Sequence, residues 1–220
     1  MFRIKICGVT RVEDALCASE AGADAVGVNF YKKSPRRASI EQAREIADAL
    51  PEKTLVVGVF VNASHQEIDR IAGEVPLGAI QLHGDEPIDF LLGLPESLPV
   101  IRAARMGEEG LAPVGKMLRA GDGRGRAPDA LLVDAKSDKG YGGTGERVDW
   151  ARVNQERSHV GDIPLILAGG LTDRNVAEAI QQARPHGVDT ASGVEDAPGI
   201  KNASKIASFV ANARDRLEAQ

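Results

Sequence analysis

The fold class this chain predicts is α/β, a (β/α)8 TIM barrel formed as a single domain over residues 1–220. Three observations lead there. Short β-branched or aliphatic runs alternate with longer amphipathic stretches, and there are eight such runs. No linker, low-complexity tract or change of composition divides them. The length is also near the usual ~250 residues of a closed barrel. An open, doubly wound sheet has the same alternation and is the competing arrangement.

The strand-like runs cover residues 3–8, 25–30, 54–61, 78–83, 99–105, 130–135, 163–168 and 188–192. Helical patterns begin near residues 11, 40, 64, 87, 109, 149, 173 and after 201. Thr10 stands before "RVEDALCASEAG", with Glu13 three residues on and Gly22 at the end: a capping box and a glycine stop. Ser64 and Thr172 precede their helical patterns in the same way. The stretch "AGDGRGRAPD" at 120–129 reads as a polar surface loop.

A hydrophobic content of 43% is that of a globular chain, and a net charge of −5 argues against nucleic acid as a partner. An anionic ligand must then be held by local groups and not by a general field. Cys7 and Cys17 are too few for a disulfide framework, which points to a reducing, cytoplasmic setting. No apolar run approaches the ~20 residues that cross a bilayer, so no membrane partner is expected. "MFRIKICG" also lacks the pattern of a signal peptide.

In a barrel, reactive groups belong at the carboxyl ends of strands and in the loops that follow. Glycine clusters stand at three of these ends: "YGGTG" at 141–145, "AGGLT" at 168–172 and "ASGVE" at 191–195. Glycine lets several backbone N–H groups converge on a phosphate. One cluster alone only turns the chain. Three on one rim, two of them after the seventh and eighth strands, predict a phosphate site of Gly142, Gly143, Gly145, Gly169, Gly170, Ser192 and Gly193.

Cys7 ends the first strand and shares a face with Lys5. An adjacent ammonium favours a thiolate, though a cysteine here also serves as a small hydrophobe. Asp134 ends the apolar run "ALLVD"; it either holds a proton through desolvation or caps a turn and pairs with Lys136. Arg36, in "YKKSPRR", suits a carboxylate clamp, or is one cation of an exposed loop. Gln81 and His83 share a face at the end of the fourth strand, His83 as a hydrogen-bonding positioner or an acid–base group. No metal-ligand spacing and no strand-linked GxGxxG occurs, so neither metal nor dinucleotide cofactor is expected.

"KICGVT" at 5–10, "GVNFYKKSPR" at 27–36, "VGVFVN" at 57–62 and "IQLHGDE" at 80–86 together resemble the phosphoribosylanthranilate isomerase family. So do "LLVDAKSDKGYGGTG" at 131–145, "LILAGGLTDRNV" at 165–176 and "DTASGVEDAPGIKN" at 189–202. The resemblance implies a (β/α)8 barrel that catalyses a cofactor-free Amadori rearrangement in tryptophan biosynthesis. The small-molecule substrate would be N-(5-phosphoribosyl)anthranilate. By that resemblance Asp134 is the general acid, Cys7 the general base, Arg36 the partner of the anthranilate carboxylate, and the glycine loops the phosphate site. Gln81 and His83 are expected to contact substrate.

Ala191 and Asn202 depart from the family pattern, which often has serine and aspartate there; asparagine caps a helix as well as aspartate does. The related isomerase of histidine synthesis has an aspartate in place of Cys7, so a different or dual substrate is the first alternative. A phosphosugar-binding protein without catalysis is the second. Monomer and homodimer are both compatible with the sequence, and the glycine-rich stretch 137–145 is the candidate lid.

Overall fold

Strands buried on both faces must be apolar on both, and those of this chain are almost without polar alternation until their carboxyl ends. The computed structural model describes residues 1–121, 125–135 and 148–220. Among these, eight parallel strands close into a barrel in sequential order. They are β1 (Ile4–Cys7), β2 (Ala25–Asn29), β3 (Leu55–Phe60), β4 (Ala79–Leu82), β5 (Val100–Met106), β6 (Ala130–Ala135), β7 (Leu165–Leu167) and β8 (Gly187–Thr190). The seam pairs β1 with β8, setting Lys5 beside Asp189.

The helices are α1 (Val12–Ala21), α2 (Ile40–Ala49), α3 (His65–Glu74), α4 (Ala112–Gly121), α5 (Trp150–Gln155), α6 (Val176–Ala183) and α7 (Ala203–Glu218). Two apolar cores result. Ala25, Val57, Ala79, Ile101, Leu132 and Ile166 fill the barrel. Outside it, strand residues such as Ile6, Val28 and Leu131 meet Ile46, Ile68, Ile180 and Phe209 from the helices. The barrel filling is apolar, so the polar side chains at the carboxyl ends sit on an apolar floor.

Local chemistry sets most helix starts. Ser39 and Gln42 form a capping box on α2, and Ser64, Asp149 and Asn202 each accept a backbone N–H at the start of α3, α5 and α7. Two expected caps fall elsewhere. Arg11, without a side-chain cap, precedes α1, while the Thr10 hydroxyl donates to the Gly199 carbonyl at 2.8 Å. Gly22 does close α1, at φ 97°. Thr172 opens a turn, and α6 begins only after Asn175, whose Oδ1 accepts the Thr172 N–H at 2.8 Å.

The pattern after β4 is also not an α-helix. Residues Ile88–Gly93 form a 3-10 segment, because Pro87 and Pro95 bracket too few residues for several α turns. After β8 the chain forms a short 3-10 turn, Ser192–Val194, then a small antiparallel pair. Its strands, β9 (Glu195–Ala197) and β10 (Ile200–Lys201), turn at Gly199, φ 80°. This hairpin carries Glu195 and Lys201 back over the end of β1.

Candidate active site

Neighbouring residues of a parallel ladder point to the same side, so register decides which polar groups enter the barrel. Lys5 lies beside Ala25 and Cys7 beside Gly27, which continues the inward row of Ala25. By alternation Gln81 and His83 follow Ala79, and Asp134 follows Ala130 and Leu132. Cys7 and Asp134, 127 positions apart, therefore open on the same mouth from β1 and β6.

His83 links the β4 and β6 sides. Its Nε2 is 3.3 Å from Asp134 Oδ2, and its Nδ1 is 2.9 Å from the Gln81 amide nitrogen. With the amide donating, Nδ1 is the acceptor and the ring proton sits on Nε2, facing the carboxylate. Gln81 is fully buried, so it reaches the mouth through His83. The other oxygen of Asp134, Oδ1, accepts the Ala135 N–H at 2.8 Å, which fixes the carboxyl plane.

On the opposite wall, Lys5 is fully buried with its Nζ 2.7 Å from Asp189 Oδ1, while Cys7 is partly exposed. The ammonium was expected to draw the Cys7 thiol down. Burial is the stronger influence and pushes it up, with Asp189 adding to that effect; Lys5 and Lys201 act in the opposite direction. Gly27 makes this arrangement possible. A Cβ there would lie 2.8 Å from Cys7 Sγ and 3.1 Å from Lys5 Nζ.

Arg36 is held to one side of the mouth. Its Nε lies 2.9 Å from Glu195 Oε1 and its Nη2 2.8 Å from Oε2. Lys201 Nζ is 2.8 Å from the same Oε1 and 3.1 Å from the Ala191 carbonyl. Burial pushes Glu195 up, but Arg36 and Lys201 overcome it and hold the carboxyl below its ordinary value. The stem of Arg36 crosses Gly8, at φ 70°, where a Cβ would lie 2.5 Å from its Cδ. Fixed in this way, Arg36 is not an exposed cation, and its Nε–Nη2 edge is taken up by Glu195.

The predicted phosphate glycines divide by position. Gly169 and Gly170 adopt φ 82° and 65°, and a Cβ on Gly169 would lie 3.0 Å from Asp134 Oδ1. At Gly193 a Cβ would overlap the Leu171 carbonyl. Ser192 begins the 3-10 turn beside it. Gly142, Gly143 and Gly145, the proposed lid 137–145 and Lys136 lie outside the described residues. Among those described, no group of three His, Cys, Asp or Glu is placed to hold a metal, and no helix is long and apolar enough to cross a membrane.

Residues 4–212 match the family model described as N-(5'phosphoribosyl)anthranilate (PRA) isomerase. The chain belongs to this family. Over 214 residues it is 46% identical to N-(5'-phosphoribosyl)anthranilate isomerase of Pseudomonas fluorescens, covering 94% of this chain and 96% of that one. The crystal structure of phosphoribosyl anthranilate isomerase from Thermotoga maritima superposes with a TM-score of 0.86 at 40% identity, covering 98% and 100% of the two chains. A phosphoribosyl anthranilate isomerase structure in complex with reduced 1-(o-carboxyphenylamino)-1-deoxyribulose 5-phosphate aligns at 39% identity and TM-score 0.82, with 98% and 100% coverage.

Within this member of the family the mouth thus has a carboxyl–histidine pair on one wall and a thiol–ammonium pair on the other. Asp189, Glu195, Lys201, Gly8 and Gly27 were not singled out from sequence, although all five lie within the segments that carried the resemblance. Their signal was there only as motif; their partners are distant in the chain.

Proposed function

We propose that this chain, as one catalytic domain over residues 1–220, converts N-(5-phosphoribosyl)anthranilate to 1-(o-carboxyphenylamino)-1-deoxyribulose 5-phosphate in tryptophan biosynthesis. Asp134 is the general acid and Cys7 the general base. One observation carries the reading: in a barrel of this family, these two side chains face one mouth from opposite strands. The neighbour holding the reduced product analogue supports the choice of substrate.

In the proposed course, Asp134 gives a proton to the ribose ring oxygen as the ring C–O bond breaks, and the anilinic nitrogen lone pair forms a C1 iminium. The C2 proton is acidic only in this cation, so ring opening comes first. Cys7, as thiolate, takes that proton; the C–H electron pair forms the C1–C2 double bond and the iminium electrons return to nitrogen. The enolamine then gains a proton at C1 and loses one from the C2 hydroxyl, leaving the ketone with no net change of protons.

Arg36 holds the anthranilate carboxylate, and the backbone after β7 and β8 holds the phosphate. The left-handed glycines 169 and 170 support that placement. His83, with Gln81 behind it, orients Asp134 and contacts the substrate. Fixing both anionic ends keeps the ribose between acid and base, which is how two modest groups become sufficient.

The test is turnover of purified protein, followed by loss of substrate fluorescence. Cys7→Ala and Asp134→Asn should each lower kcat by ~10²–10⁴-fold while a product analogue still binds. Undiminished turnover in both variants removes the mechanism. Turnover of only the aminoaldose phosphate of histidine synthesis removes the substrate assignment.

A further inference from the structure

We propose that Lys5, anchored by Asp189, is a positioning residue for Cys7: its buried ammonium fixes the thiol on the mouth side of β1 and stabilises the thiolate that receives a proton. The inference rests on the reading of Cys7 as the base.

Lys5 is an unusual residue to find where it is. A lysine with no exposed surface is rarely kept unless a partner compensates its charge. Asp189 does so across the barrel seam at 2.7 Å, while the Phe2 ring lies 5.9 Å from Nζ on the floor side. The strand pairing at these two positions is made by backbone, which any apolar residue would supply equally. The ladder positions they occupy are filled elsewhere by Ala25, Val57 and Ala79, and an apolar pair of similar volume would pack without the cost of desolvating two charges.

The location of the pair is therefore informative. Lys5 lies two residues before Cys7 on the same inward row, and the space both need is open only because position 27 has no Cβ.

Around the thiol, Lys5 and Lys201 favour the thiolate, while burial and Asp189 oppose it. From β1 itself Lys5 faces the thiol, from β8 Asp189, and from the β9–β10 hairpin Lys201, whose Nζ also reaches the Cys7 carbonyl at 2.5 Å. Glu195 and, through it, Arg36 complete the cluster; β2 contributes Gly27 and Asn29, both uncharged. Among the described residues of this ion-pair cluster, Lys5, Lys201 and Arg36 against Asp189 and Glu195 leave one excess positive charge, which a thiolate neutralises. Burial pulls Lys5 down, but Asp189 and the cysteine together outweigh it and push the ammonium up. The ammonium keeps its proton throughout; Cys7 alone exchanges one.

The decisive measurement reads the thiolate directly. Full-length protein carrying Cys17→Ser is alkylated with iodoacetamide across pH 6–10, and modification of Cys7 is followed by mass spectrometry. Lys5→Met should slow Cys7 alkylation at least ~10-fold at pH 7.5 and move its midpoint up by about a unit or more. It should also move the acid limb of the kcat/KM profile in the same direction.

Should Lys5→Met leave Asp189 unpaired and the chain unfolded, Lys5→Met/Asp189→Asn removes both charges and keeps the volume. It is expected to show the same upward shift. Coincidence of the alkylation profile with that of the parent, in whichever variant folds, overturns the proposal. Full turnover in Cys7→Ala would overturn the base assignment instead, and the alkylation profiles keep the two failures apart.

Discussion

Gly27 offers the sharpest physical test of the site, because changing it adds one methyl group and no charge. The methyl carbon of Gly27→Ala would stand 2.8 Å from Cys7 Sγ, 3.1 Å from Lys5 Nζ and 3.2 Å from Cys7 Cα. The last atom is backbone in the barrel wall and cannot step aside, so the thiol and ammonium must move by several tenths of an ångström. Overpacking of this kind costs about 1–3 kcal/mol, or roughly 2–12 °C in Tm for a chain of this length. Displacement of a reacting group by up to ~1 Å costs as much as ~10²-fold in rate.

The expected signature is thus a modest loss of stability with a disproportionate loss of kcat. Gly73→Ala is the control. It lies in α3 with nothing within 4 Å of the added carbon, and should raise stability by about 0.5–1 kcal/mol at unchanged turnover. Calorimetry with the fluorescence assay checks both. Parent-like Tm and kcat in Gly27→Ala would refute the claim that Cys7 and Lys5 share a space with no slack.

Behind β4, Arg102 Nη1 lies 2.8 Å from Glu86 Oε2, both residues buried, and Glu86 Oε1 accepts the Asn62 N–H at 2.7 Å. Glu86→Ala strands the guanidinium and should cost about 3–5 kcal/mol in urea unfolding; a loss under ~1 kcal/mol contradicts the pairing. Glu195 gives a pH dependence. Its folded carboxyl titrates below its ordinary value of 4.5, so its stabilisation is whole above that pH and is lost as pH falls through the lower folded value. The Tm gap between the parent and Glu195→Gln should therefore narrow from pH 6 to pH 3.5, and a constant gap would count against the assignment.

The strands were legible because burial on both faces writes itself as mostly apolar runs, broken only by single polar residues such as Lys5 and Arg102; each barrel strand lies within the run expected for it, or within a residue or so of its ends. Helix starts were read less well where a side chain found a distant partner. Nothing local to Thr10 announces that its hydroxyl will meet Gly199, 189 positions on. The same limit governs the site. Cys7 and Asp134 were visible as strand-end residues, but Arg36 on Glu195 and Lys5 on Asp189 become neighbours only through the register and closure of the barrel. The direction of the Cys7 shift was missed for a related reason: sequence names the adjacent cation but not the depth of burial or the carboxylate across the seam.

That seam has a consequence for the order in which the enzyme comes into being. Asp189, Glu195 and Lys201, the charged groups around the thiol, all follow it by 182 to 194 positions in the chain. A nascent chain can thus lay down most of its wall while its cysteine still lacks these charged neighbours, which reach it only when the two ends of the sheet meet.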